Sequence, residues 1–191
     1  MLRPMRVDDR VAALLEAGEA GGAATAVIES LGPAVLGYLA SMHDEDDARD
    51  VFQAWSSDVW RGLPGFRFEA SVRAWAFRLA WHASSRFRRD PWRQRGVPLA
   101  DSAASRLAAS IAGQSRMPGG RKDTLRALRL RLPPEDQTLL VLRVDKDLEW
   151  SEVADVLAEG GQRPEEAALR KRFERIKDRL AAMAREEGLL E

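Results

Sequence analysis

Apolar residues recur along this chain at three- and four-residue intervals, a rhythm that predicts helices. Val27, Ile28 and Leu31 make one apolar face. Gly32-Pro33 then interrupts, and the proline suits the first turn of a new helix carrying Val35, Leu36, Leu39 and Met42. Asp46 or Asp47 is placed to cap the next helix, whose acidic first turn suits the positive end of the helix dipole. Its buried face is Val51 or Phe52 with Trp55 and Val59, and Gly62-Leu63-Pro64-Gly65 ends it. From Ala70 to Arg89, the set Val72, Trp75, Ala76, Leu79, Ala83 and Phe87 follows the helical repeat, which assigns Trp75 to packing. Four helices can therefore share one core between about Ala23 and Arg89.

The character changes from Arg93 to Lys122. Gly96, Pro98, Gly113, Pro118, Gly119 and Gly120 are spread among alanine and serine, with Leu107 and Ile111 the only sizeable apolar pair nearby. This reads as a linker with at most one weak helical turn. Periodicity then resumes. Leu125, Leu128 and Leu132 precede Pro133-Pro134, and a helix starting there presents Leu139, Leu140, Leu142 and Val144. Trp150 to Leu157 forms a short helix with Val153, Ala154 and Leu157 on one side, followed by a break at Gly160-Gly161. Pro164 to Arg185 carries Leu169, Phe173, Ile176, Leu180 and Met183 as a single stripe. The expected fold is all-α: an N-terminal tail or first helix over 1–22, a helical bundle over 23–92, a linker over 93–122 and a second helical domain over 123–191.

Composition narrows the chemistry. The 191 residues carry no net charge, so only the distribution of charge is informative. Without cysteine there is no disulfide, thiolate metal site or cysteine nucleophile. The two histidines, His43 and His82, are too far apart and too poorly matched with acids to suggest a metal site. No glycine-rich phosphate loop or nucleophile motif appears, so neither an enzyme nor a cofactor is expected. Asp8, Asp9 and Glu16 interrupt the apolar stretch near the N-terminus, and no apolar run approaches the roughly 20 residues needed to cross a bilayer. A cytoplasmic protein without membrane insertion is expected.

Charge is strongly segregated between Asp44 and Arg95. Asp44-Glu45-Asp46-Asp47 opens the run, whereas Phe66 to Arg95 holds Arg67, Arg73, Arg78, Arg86, Arg88, Arg89, Arg93 and Arg95 against only Glu69 and Asp90. Such basic charge attracts a phosphate backbone. Phe66, Phe68, Trp75, Phe77, Trp81, Phe87 and Trp92 are interleaved with it, and aromatic faces stack on unpaired bases at about 1–3 kcal/mol each. Arg73, Phe77, Trp81, Ser84 and Arg88 form a second stripe beside the core stripe, which makes Phe77 and Trp81 candidates for contact with nucleic acid.

In the second half, the short helix, break and long helix match a helix-turn-helix, in which the second helix enters the major groove. Arg170, Lys171, Arg172 and Arg175 are its outward cations, and arginine is the usual bidentate reader of guanine. A helical hairpin with a solvated charged face fits the same pattern.

These segments together resemble a bacterial RNA polymerase sigma factor of the extracytoplasmic-function class, which keeps only regions two and four. Asp47-Ala48-Arg49-Asp50-Val51-Phe52-Gln53 resembles the family's D-A-E-D-[LV]-[VF]-Q signature. Trp60-Arg61-Gly62-Leu63-Pro64-Gly65-Phe66-Arg67 and the stretch from Ala70 to Ala80 resemble two later segments of region two. Leu132-Pro133-Pro134-Glu135-Asp136-Gln137, followed by Leu139-Leu140-Val141-Leu142-Arg143, resembles the opening of region four.

The resemblance implies a promoter-recognition subunit that binds core RNA polymerase and helps melt promoter DNA. Asp47, Asp50, Val51 and Gln53 would dock on the clamp helices of the beta-prime subunit. Phe66 to Ser71, with Phe66, Arg67 and Ser71 as its site residues, is the loop that would pocket a flipped base of the minus-ten element, with Phe77, Trp81, His82 and Arg86 facing the adjacent DNA. Arg170, Lys171, Arg172 and Arg175 would read the minus-thirty-five element while their domain contacts the beta flap. An anti-sigma factor is a further implied partner. The chain departs from the family pattern at His82, where asparagine is common, at Trp81, at the longer turn from Ala158 to Pro164, and at Glu149, where a serine or threonine cap is usual. A DNA-binding regulator with an N-terminal protein-interaction domain is the alternative reading.

Overall fold

The computed structural model describes residues 6–89, 103–114 and 122–189, and every regular element among them is helical. The chain divides into two compact units, Met1–Arg116 and Met117–Glu191.

The first unit contains α1 (Val7–Glu16), α2 (Ala20–Ala40), α3 (Glu45–Gly62), α4 (Val72–Arg89) and α5 (Ala103–Gln114). Helix α2 is central, packing against each of the other four. The expected break at Gly32-Pro33 does not occur. Pro33 lies inside α2 on its exposed side, and the buried residues before it (Val27, Ile28) and after it (Val35, Leu36, Leu39) hold one continuous helix despite the missing N–H. That 21-residue helix is long and apolar enough to cross a membrane, contrary to the sequence expectation, but over half of its apolar window is buried in this unit. Its burial is that of a core helix.

Helix α3 starts two or three residues earlier than expected. Asp44, not Asp46 or Asp47, is its cap, accepting the Asp47 N–H at 2.9 Å, and Glu45, Asp46 and Asp47 fill the first turn. Ala48, Val51, Phe52, Trp55 and Val59 all face inward. Trp55 stacks on Phe52 at 5.1 Å and donates its indole N–H to the Ala76 carbonyl at 2.9 Å, which ties α3 to α4.

The largest departure concerns 93–122. Ala103–Gln114 is a three-turn helix packed on both α2 and α3, with Ala108 buried and Ile111 seated over Gly32. A Cβ at Gly32 would stand 2.9 Å from Ile111 Cδ1 and 3.3 Å from Phe52 Cζ, so glycine is what admits α5 to the groove. Two aliphatic residues in an alanine-rich stretch give a weak periodic signal; the groove that receives them is formed by distant residues. The remainder of the expected linker, the aromatic Trp92, and Arg93 and Arg95 lie outside the described residues.

The second unit comprises α6 (Lys122–Leu130), α7 (Pro134–Leu140), α8 (Trp150–Val156) and α9 (Glu166–Glu186). Leu128, Leu132, Leu139, Leu140, Leu142, Leu148, Val153, Ala154, Leu169 and Ile176 form its core. The side chain of Leu125 lies outside the described ones. Helix α7 runs into a π-helical turn, Val141–Asp145, and that wider turn rotates Val144 out of the expected apolar face, leaving it 54% exposed. The stripe on α9 forms as expected, although Phe173, Leu180 and Met183 are only half-buried.

Candidate functional site

The first candidate surface is the outer side of α3. Asp46, Asp50 and Gln53 recur at i, i+4 and i+7, and all three face outward, Gln53 being half-buried. Asp46 was absent from the sequence-derived set, yet the same spacing marks it. Asp47 is half-buried at the capped first turn. Val51 does not belong to this surface: it is fully buried, because its position falls on the Ala48 and Trp55 side of the helix.

The second surface is the connection from α3 to α4. After a short 3-10 turn, Leu63–Gly65, the rings of Phe66 and Phe68 meet at 4.7 Å, and Phe66 meets Trp75 at 5.0 Å. Phe68 is 41% exposed and has φ 56°, a left-handed conformation that costs a bulky residue energy. Trp75, expected in the core, is half-buried and serves as the floor of this cluster, reached because Gly62 has no side chain to oppose it. Trp75 is thus an addition to the sequence-derived set, and Phe68 lies within the loop from Phe66 to Ser71 that the resemblance singled out. Arg67 is exposed. Ser71 accepts the Ala74 N–H at 3.0 Å, and Asp8 of α1 accepts the Val72 N–H at 2.8 Å, so the loop ends on a doubly capped helix.

Along α4, the structure removes two candidates. Phe77 is fully buried and meets Tyr38 edge-on at 5.8 Å, and Trp81 is 8% exposed. Helix α4 packs against both α2 and α3, so its buried sector takes in Phe77, Trp81 and Ser84 of the second stripe as well as Val72, Ala76, Ala83 and Phe87 of the first. His82 is half-buried, and exposed Arg86 pairs with Asp58 of α3. The terminal nitrogens of Arg88 are buried without a hydrogen-bond acceptor, and burial lowers its pKa. Arg73 and Arg78 are half-buried, while Arg89 is exposed.

The third surface is α8 and α9. The extra residues between them are ordered as a tight hairpin: Glu159 and Gln162 exchange backbone hydrogen bonds at 3.0 and 2.9 Å, and Gly160 and Gly161 both have positive φ. Arg163 pins this turn to α8 through Asp155 at 2.6 Å and the Ser151 carbonyl at 3.0 Å. Glu149 occupies the cap position, and its N–H donates to Glu152 at 3.1 Å, so an acidic cap starts α8 where expected.

Among the four cations of α9, Arg172 is set apart. It bonds Asp136 at 2.6 Å and Glu135 at 2.8 Å, at the start of α7. Burial opposes its charge, but those carboxylates outweigh the penalty and raise its pKa. Its guanidinium joins two helices of the unit. Arg170, Lys171 and Arg175 are exposed.

Among the described residues, no group of three acids or histidines is placed to hold a metal ion. A family model of sigma-70 region 2 matches residues 27–94, which spans most of α2, all of α3, the aromatic loop and α4. The RNA polymerase sigma factor YlaC of Bacillus subtilis (strain 168) is 27% identical over 125 residues, covering 64% of this chain and 72% of that protein. The acidic α3, the aromatic loop and α4 therefore make up a sigma-70 region 2, in a chain that is similar over most of its length to an RNA polymerase sigma factor.

Proposed function

We propose that this sigma factor divides its work among three surfaces. The outward ridge of α3, Asp46, Asp50 and Gln53 with Asp47 beside it, docks on the beta-prime clamp helices of core polymerase. Phe66, Arg67 and Phe68, backed by Trp75, hold an unstacked base of the minus-ten element, with His82 and Arg86 next to the adjoining DNA. Arg170, Lys171 and Arg175 on α9 read the minus-thirty-five element, and the second unit meets the beta flap. Arg172 has a supporting role, and Val51, Phe77 and Trp81 serve the core.

The observation that carries this reading is the Phe66–Phe68–Trp75 cluster, two half-buried rings with Phe68 exposed beside them, inside the stretch matched by sigma-70 region 2. Unstacking a base costs a few kcal/mol, and aromatic stacking returns about 1–3 kcal/mol per base. Arg86 is held by Asp58, so contact with phosphate requires it to exchange one acceptor for another.

Sigma factors direct transcription initiation with core polymerase and promoter DNA and have no reaction of their own. They work in the cytoplasm, and that is the proposed place of action. An anti-sigma factor covering the α3 ridge is the proposed restraint. The region-two match disfavours a regulator that uses only its helix-turn-helix.

Run-off transcription on fragments of the source genome, with core polymerase alone and with this protein added, tests the reading. Discrete new start sites are expected. Sequence-specific DNA binding without core polymerase, and no new transcripts with it, would favour the regulator.

A further inference from the structure

Trp150, the first residue of α8, is half-buried, and its ring meets that of Phe173 on α9 edge-on at 5.6 Å. Two guanidinium groups lie against the same indole. The Cζ of Arg143, from the π-helical turn, is 5.1 Å from the ring centroid, and that of Arg170, from α9, is 5.5 Å away. Arg143 is itself anchored, its Nη1 donating to the Leu148 carbonyl at 2.6 Å. The indole thus links a fixed arginine on one element to an outward arginine on another.

The two restraints on Arg170 differ in kind. Glu166, one turn earlier, accepts from Nη2 at 3.0 Å and so occupies part of the donor edge. A ring beneath a guanidinium engages its face and leaves the in-plane N–H groups available. Bidentate recognition of guanine needs that edge. An arginine already oriented by a ring also loses less rotamer freedom on binding. Lys171 and Arg175, the other exposed cations of the set, have no ring contact or ion pair among the described residues.

We propose that Trp150 is a positioning residue for Arg170: anchored through Arg143, the indole holds the guanidinium by its face and aims its donor edge at a base of the upstream promoter element. This inference rests on the reading of α9 as the upstream-element reader. It assigns to the first helix of the pair a part in base preference without base contact.

The test uses full-length protein in complex with core polymerase, on a promoter mapped by run-off transcription and on its single-base variants across the upstream element. Trp150→Leu keeps apolar bulk without a π face, and Trp150→Tyr keeps a face. The leucine variant is expected to reduce discrimination at one base position about two- to fivefold, the size of a cation–π contact at a half-exposed site. The tyrosine variant should retain it, and Trp150→Leu should have no further effect in an Arg170→Ala background. Trp150→Met replaces the leucine variant if that one does not fold. Equal losses at every base, equal losses for leucine and tyrosine, or additivity with Arg170→Ala would overturn the inference and leave Trp150 as packing. If Arg170→Ala itself preserves base preference, the reading of Arg170 fails first and the inference falls with it.

Discussion

His43 lies inside the first unit with Nε2 2.7 Å from the Ser84 hydroxyl and its ring edge-on to Phe87. Burial first, then the charge of Arg88, lowers its pKa from the usual 6.5 to about 4, with Asp44 opposing. The unfolded chain therefore binds this proton more readily between those two pH values. The contribution to stability is complete above pH 6.5, shrinks as pH falls, and is gone below about 4, an amount of roughly 3 kcal/mol. Urea unfolding at pH 7 and pH 4.5 should show a smaller loss for His43→Gln than for the unaltered protein; equal losses would mean that His43 is not the titrating group. Phe77 makes the complementary case. Phe77→Ala should cost about 3–5 kcal/mol of stability by the same assay. A stable variant with weakened promoter binding would return that ring to the DNA surface. On the α3 ridge, Asp50→Ala with Gln53→Ala should weaken polymerase binding in a pull-down with purified core enzyme and leave the melting temperature within a few degrees, since both side chains face outward.

At the scale of elements, α9 combines a structural role with the proposed reading role on nearby residues. Arg172 faces the start of α7 and Arg175 faces solvent. Arg172→Ala should therefore lower the stability of the second unit by about 1 kcal/mol, discounted because the pair is partly exposed. Arg175→Ala should leave stability unchanged and lower affinity for upstream promoter DNA, with about 1–3 kcal/mol of discrimination lost if it reads a base. Urea titration and DNA binding, measured on both variants, separate the two roles; identical behaviour would remove the distinction. The stripe Leu169, Phe173, Ile176, Leu180 and Met183 was legible in the sequence because one face of a long helix repeats its apolar residues regularly. The cross-helix bonds of Arg172 were not, since Glu135 and Asp136 are more than thirty residues away and nothing local singles them out.

For the whole molecule, α5 changes what the first unit is. The region-two bundle gains a fifth helix from a stretch whose composition reads as linker, seated where Gly32 opens a groove between α2 and α3. Placing a charge there, as in Ile111→Asp, should cost about 1–3 kcal/mol through lost burial. Tryptophan fluorescence during urea unfolding reports it, because among the described residues every tryptophan except Trp150 belongs to this unit; an unchanged midpoint would mean that α5 contributes nothing to it. The helical fold class, the division into two helical regions, the acidic-then-basic order and the family resemblance were all determined by the sequence, since periodicity, charge order and short motifs are local properties. Which aromatics are buried, which arginine is committed, that Pro33 stays within a helix and that α5 docks were decided only by tertiary structure. Each depends on the packing of residues distant in sequence: α4 buries Phe77 and Trp81 because α2 and α3 both pack on it, and α5 binds because a glycine lies opposite an isoleucine nearly eighty residues on.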